Sequence, residues 1–123
     1  IRFTNCGFWG PVEGNVQVLG NANVSFFNCY FSSNHVSKDP KHPSWSIVAA
    51  DGKLQVQGCT FDGTQTDEVA QWTYGGSKRR PECIWLKPGV KHAILTGNNG
   101  WGGVSIKNQI GARAVVRDNE PVK

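Results

Sequence analysis

The sequence predicts an all-β chain: a right-handed parallel β-helix of about four coils, itself part of a longer β-helix. Three observations lead there. Val and Ile together number 19 against 4 Leu, and β-branched side chains suit a pleated strand while crowding a helix. A motif recurs in the order apolar, any, apolar, any, Asn or Gly, Cys, any, Phe. Short apolar segments followed by turn residues precede every copy of it but the first.

The motif copies are Ile1 to Phe8, Val24 to Phe31 and Leu54 to Phe61, with two shorter ones at Ala93 to Asn98 and Ala114 to Asn119. Their starts lie 23, 30, 39 and 21 residues apart, so a minimum unit near 21 residues recurs without one fixed period. The intervening strands are expected at Val16–Val18, Ile47–Ala49, Ile84–Leu86 and Val104–Ile106. Turns follow at Gly20 to Asn23, Asp51 to Lys53, Pro88–Gly89 and Gly111, where Gly, Asn, Asp and Pro supply the needed φ values. Connection lengths vary on one side of the unit only, which stacked coils explain better than a meander. A β-sandwich offers no reason for Asn/Gly-Cys-x-Phe to recur in step.

Stacked coils would place equivalent residues about 4.8 Å apart in interior ladders. Phe3, Phe26, Val56, Leu95 and Val116 form one expected ladder, and Phe8, Phe31 and Phe61 another. Val18, Ala49, Leu86 and Ile106 would line a further wall. Cys6, Cys29 and Cys59 share one column with Asn98 and Asn119, so these thiols read as small apolar filler rather than a disulfide framework. Cys83 stands outside that column, as a free core thiol or a partner in some other pairing. No Cys or His spacing suits a metal, and no cofactor is expected.

With 123 residues and 13.4 kDa the chain is one domain's length. An apolar share of 38% and five Trp exclude a disordered tail. No run approaches the ~18 apolar residues of a membrane helix. The start at Ile1, the lack of Met, and a first strand already bearing the repeat suggest a piece of something larger. Preceding coils of the same chain, or another subunit in a homo-oligomer, would then cover that end. The net charge of +4 fits solubility or an anionic partner.

These xΦxΦx[Asn/Gly]Cys-x-Phe coils resemble the pectate-lyase-like right-handed parallel β-helix superfamily across nearly the whole chain, as architecture. That resemblance implies a polysaccharide-directed protein, extracellular or at the cell surface. The adjacent Asp-Asp and Asn-Thr-Asp signatures of polygalacturonase-like hydrolases are missing, as is the Trp-x-Asp-His of pectate lyases.

Two long loops, 32–45 and 62–83, both follow a Cys-x-Phe strand and should leave one corner of adjacent coils side by side. Long loops on a rigid scaffold are where function concentrates. The candidate catalytic residues are Asp62, Asp67 and Glu68 as paired carboxylates for glycoside hydrolysis. For β-elimination the candidates are His35 or His42 as base, with Lys78, Arg79 or Arg80 neutralising the developing charge. Trp9, Trp45, Trp72, Tyr74 and Trp101 are candidate sugar platforms, with Lys78 and Arg80 as further substrate contacts. The expected partner is a polysaccharide or oligosaccharide cleaved by a hydrolase or lyase. The alternative is a non-catalytic stalk, oligomerisation or glycan-binding section of a larger β-helix protein. Trp72, Tyr74, Lys78, Arg79 and Arg80 only faintly match the interleaving that nucleic acid requires. The Asn23-Val24-Ser25 sequon falls in an expected strand and reads as a chance match, and Lys87, Lys91 and His92 read as an ordinary polar corner.

Overall fold

The computed structural model describes residues 1–9, 14–32, 45–62, 82–100 and 102–122, with the backbone alone at Asp62. The strands are β1 (Arg2–Thr4), β2 (Gly7–Trp9), β3 (Val16–Val18), β4 (Asn23–Phe27), β5 (Tyr30–Ser32), β6 (Trp45–Ala49) and β7 (Lys53–Gln57). They continue with β8 (Thr60–Asp62), β9 (Glu82–Leu86), β10 (His92–Thr96), β11 (Asn99–Gly100), β12 (Ile106–Asn108) and β13 (Ala114–Arg117). Helical structure among the described residues is limited to one 3₁₀ turn, Gly111–Arg113. No helix there is long and apolar enough to cross a membrane.

All strand pairings are parallel, in three sheets. Sheet A orders β1-β4-β7-β10-β13, sheet B orders β11-β8-β5-β2, and sheet C orders β12-β9-β6-β3. In chain order the strands visit A, B, C and then A again, four rounds in all, before closing on β13 in sheet A.

Each of the three full motif copies, which reads as one segment, is divided between sheet A and sheet B. The Asn or Gly of the motif makes the break: Asn5, Asn28, Gly58 and Gly97 have φ of 55, 51, 62 and 64°, and Asp118 has 57°. This left-handed backbone favours Gly, with Asn and Asp the tolerated alternatives, which accounts for the residue types at the position. One such residue turns the chain from sheet A into sheet B.

The first two expected ladders are present. Phe3, Phe26, Val56, Leu95 and Val116 lie in register across sheet A, and Phe8, Phe31 and Phe61 across sheet B. Strand spacing brings the Phe rings face to face: Phe3 on Phe26 at 5.1 Å, Phe8 on Phe31 at 4.9 Å, Phe31 on Phe61 at 5.0 Å. The two columns meet edge to face, as between Phe26 and Phe31 at 5.4 Å and 72°, the complementary orientation of aromatic quadrupoles. All of the ladder residues but Val116 form one continuous core with Ile47, Ala49, Ile84 and Leu86 of sheet C. Val116, on the edge strand β13, is in register but 43% exposed and not the interior residue expected.

The third expected ladder holds only in part. Val18, Ala49 and Leu86 are in register, but the next position is Asn108, whereas Ile106 pairs with Ile84. The last strand of sheet C runs Ile106–Asn108 instead of 104–106 because Val104 is engaged elsewhere: its N–H donates to Glu120 O at 2.9 Å. Asn108 is exposed, its side chain accepting from Ile110 N–H and donating to Gly111 O.

The turns from sheet C to sheet A also stack, Lys53 N–H donating to Ala22 O and Lys91 N–H to Gly52 O at 2.8 Å each. Gly52 combines φ of 72° with a backbone so close that a Cβ would lie 2.0 Å from Ala22 O, whereas at Gly58 a Cβ meets nothing within 4 Å. Gly58→Ala should therefore cost roughly 1 kcal/mol, the left-handed penalty alone. Gly52→Ala should cost at least twice as much, because backbone must also move. Urea unfolding of the two variants checks the order.

Candidate functional site

At the A-to-B corner the backbone leaves one sheet and has not yet joined the next, so its polar groups need other partners. The inward column supplies them. Cys29 N–H donates to Cys59 Sγ at 3.4 Å, Cys59 N–H to Asn98 Oδ1 at 2.9 Å, and Asn98 N–H to Asn119 Oδ1 at 3.1 Å. In return each side chain donates to a carbonyl one layer back: Cys29 to Phe3 O, Cys59 to Phe26 O, Asn98 to Val56 O and Asn119 to Leu95 O. The column thus has a hydrogen-bonding task beyond filling space. All four cysteines are free thiols, Cys83 among them, buried with its N–H donating to Ser105 Oγ at 2.8 Å.

Burial pushes the Cys59 thiol from its ordinary 9.0 up to about 11, and it raises Cys83 too. At neutral pH both are protonated and ill suited as nucleophiles or metal ligands. No group of His, Cys, Asp and Glu among the described residues has the arrangement of a metal centre.

The outer face of sheet B presents different chemistry. Trp9, Ser32 and Asp62, the last residues of β2, β5 and β8, lie in one register row, so the chain beyond Ser32 and beyond Asp62 departs from neighbouring points. Asp62 is the final strand residue rather than the first residue of a loop. Trp9 is 69% exposed. Its indole lies back across Gly7, where a Cβ would stand 2.7 Å from Trp9 Cη2. Tyr30 borders it, ring centroids 6.3 Å apart, on the strand position paired with Gly7. The missing side chain at residue 7 is what lets a large apolar ring lie along the sheet in contact with solvent.

Trp45 is a correction to the expectation of a second sugar platform. It begins β6 in sheet C, in register with Glu82, and only 8% of it is exposed. Asn15 N–H donates to Ser46 O at 3.0 Å, and Gly14 lies so near Trp45 O that a Cβ there would be 2.3 Å away. The strand begins two residues before the expected Ile47, and the indole packs beside that of Trp85, ring centroids 5.6 Å apart. His35, His42, Asp67, Glu68, Trp72, Tyr74, Lys78, Arg79, Arg80 and Trp101 lie outside the described residues.

Trp85 was visible in the sequence only as the middle of an apolar strand. Its neighbours Ile84 and Leu86 are fully buried, so alternation places Trp85 on the outer face of sheet C. There Lys87 and Lys107 stand over its ring, and its Nε1 donates to Gln109 Oε1 at 2.8 Å. A single apolar triplet does not tell a strand's inner face from its outer one. The signal lay in the flanking Lys87, spaced two residues from Trp85.

Comparison with protein-family models, curated proteins and solved structures finds no match to this chain.

The displaced Cys59 titration has a consequence for stability. With the folded value above the unfolded one, the thiol's contribution is intact below pH 9, declines as the unfolded chain ionises, and is gone once pH passes about 11. Thermal scans should show Tm falling across that window. Cys59→Ala should lower Tm at pH 7, since Cys29 N–H loses its acceptor, and should make the alkaline fall shallower.

Proposed function

We propose that the chain is a section of right-handed parallel β-helix directed at polysaccharide, with the outer face of sheet B as the saccharide-binding surface. The cyclic A-B-C strand order, all parallel and in register, supports the β-helix reading. The observation that carries the functional reading is Trp9: an exposed indole seated over Gly7 and bordered by Tyr30, in the same row as Asp62. A flat apolar face matches the C–H face of a sugar ring, while phenol and indole edges remain for its hydroxyls. Asp62, whose backbone ends β8 in that row, is the acidic residue to which this reading assigns the cleavage of a bound glycan. We read the activity as glycoside hydrolysis or lyase cleavage in an extracellular or cell-surface setting.

Binding and cleavage separate in one experiment, using a panel of acidic and neutral polysaccharides with affinity electrophoresis and a reducing-sugar assay. Trp9→Ala should weaken binding by roughly tenfold, about 1.4 kcal/mol, without lowering Tm. Gly7→Ala should do nearly the same, because its methyl displaces the ring. Asp62→Asn should abolish turnover and leave binding in place. Binding untouched by both Trp9→Ala and Gly7→Ala, together with no turnover by the parent chain, would overturn this reading in favour of a structural section.

A further inference from the structure

We infer that the outer face of sheet C carries a second site, in which Lys87 and Lys107 hold an acidic substituent of a glycan, carboxylate or sulfate, between them. The inference rests on the polysaccharide-directed reading, but on different residues and a different sheet. Lys87 Nζ lies 4.6 Å and Lys107 Nζ 4.3 Å from the centroid of the Trp85 ring. Two ammonium groups held by one indole are no more than about 9 Å apart, the sum of those distances. Their positions are set by the strands. Lys107, on β12, is the register partner of Trp85, and Lys87 follows Trp85 by two residues, just past the end of β9.

Among the described residues neither ammonium has a carboxylate within ion-pair distance. Two like charges gathered on one ring repel, and an anion between them converts that repulsion into two charge-assisted hydrogen bonds of about 2.8 Å. Gln109 adds a further donor. The indole N–H can only donate, so it takes Gln109 Oε1 as acceptor and leaves the Nε2 amide as a donor. Trp45 stands beside the platform, its ring centroid 5.6 Å from that of Trp85, with a buried Nε1 that has no partner among the described residues. The chemistry assembled there is two cations, an amide donor and indole surface, which matches an acidic sugar better than a neutral one. Nucleic acid would need a track of further cations and stacking rings along the face. Beyond this cluster, the outward row that includes Val48 continues with no such residues.

The test is affinity electrophoresis and calorimetry of the whole chain against polygalacturonate, dextran sulfate, neutral dextran and single-stranded DNA, in low and in moderate salt. The parent chain should bind at least one of the two acidic polysaccharides, more weakly as salt rises. Lys87→Gln/Lys107→Gln should weaken that binding at least tenfold. Arg2→Gln/Lys53→Gln, which removes the same charge from sheet A, should change it less than twofold. Polygalacturonate and dextran sulfate separate a carboxylate from a sulfate preference. Equal losses in the two double variants would overturn the inference, as would stronger binding to DNA than to either acidic glycan. Polysaccharide binding that depends on Trp9 and ignores Lys87 and Lys107 would overturn the inference while leaving the sheet B reading intact. Failure to bind any glycan would remove both.

Discussion

Everything in this chain depends on how its backbone turns from sheet A into sheet B. One left-handed residue makes the corner, and the next N–H finds a side chain of the adjacent layer instead of a strand carbonyl. An unpaired buried N–H costs roughly 1–3 kcal/mol, and the corner recurs in successive layers. The chain meets this cost with a side chain one layer on, a thiol at Cys59 and amides at Asn98 and Asn119. Because the acceptor belongs to the adjacent layer, each corner can be satisfied only when its neighbour is in register. That requirement in turn aligns the Phe columns, whose stacking distances follow the strand spacing.

Such a construction closes the interior to chemistry. The core is filled largely by apolar side chains, and burial raises the Cys59 and Cys83 thiols so that both stay protonated at neutral pH. On the outer faces of the sheets, alternate residues along each short strand are free of packing duty. Trp9 on sheet B and Trp85 on sheet C arise in this way, and their surroundings differ. The first is bordered by glycine and tyrosine, the second by two ammonium groups.

The sheet A and sheet B ladders were legible because the motif repeats residue for residue: aligning Phe26 with Val56 and Leu95 in the sequence is the same act as pairing them in space. The shared column of Cys6, Cys29 and Cys59 followed from the same alignment. Sheet C has no such motif. Its strands are three to five residues long, and their register is decided by contacts the sequence does not advertise. Val104 bonds to Glu120 and Ile106 falls in a different row, and Trp45, packed beside Trp85, is buried rather than a surface aromatic. Of the candidate site, Trp9 and Asp62 were placed together by reasoning that needed only the repeat. The seat of Trp9 over Gly7 required a distance between side chain and backbone, and the sequence carries no such distance.

The three corners also differ in how much chain they take up. From sheet A to sheet B the connection is two residues wherever both strands are present, and from C to A it is three to five. From B to C it ranges from residues 101–105 to residues 63–81. The A-to-B corner is of fixed length, the C-to-A corner varies by two residues, and the B-to-C connection is an open port whose length the stack ignores. Ring closure grows only logarithmically more costly with chain length, so foreign peptide can be spliced between Ser32 and Trp45, or between Asp62 and Glu82, while the spine of stacked layers goes on setting its own rise.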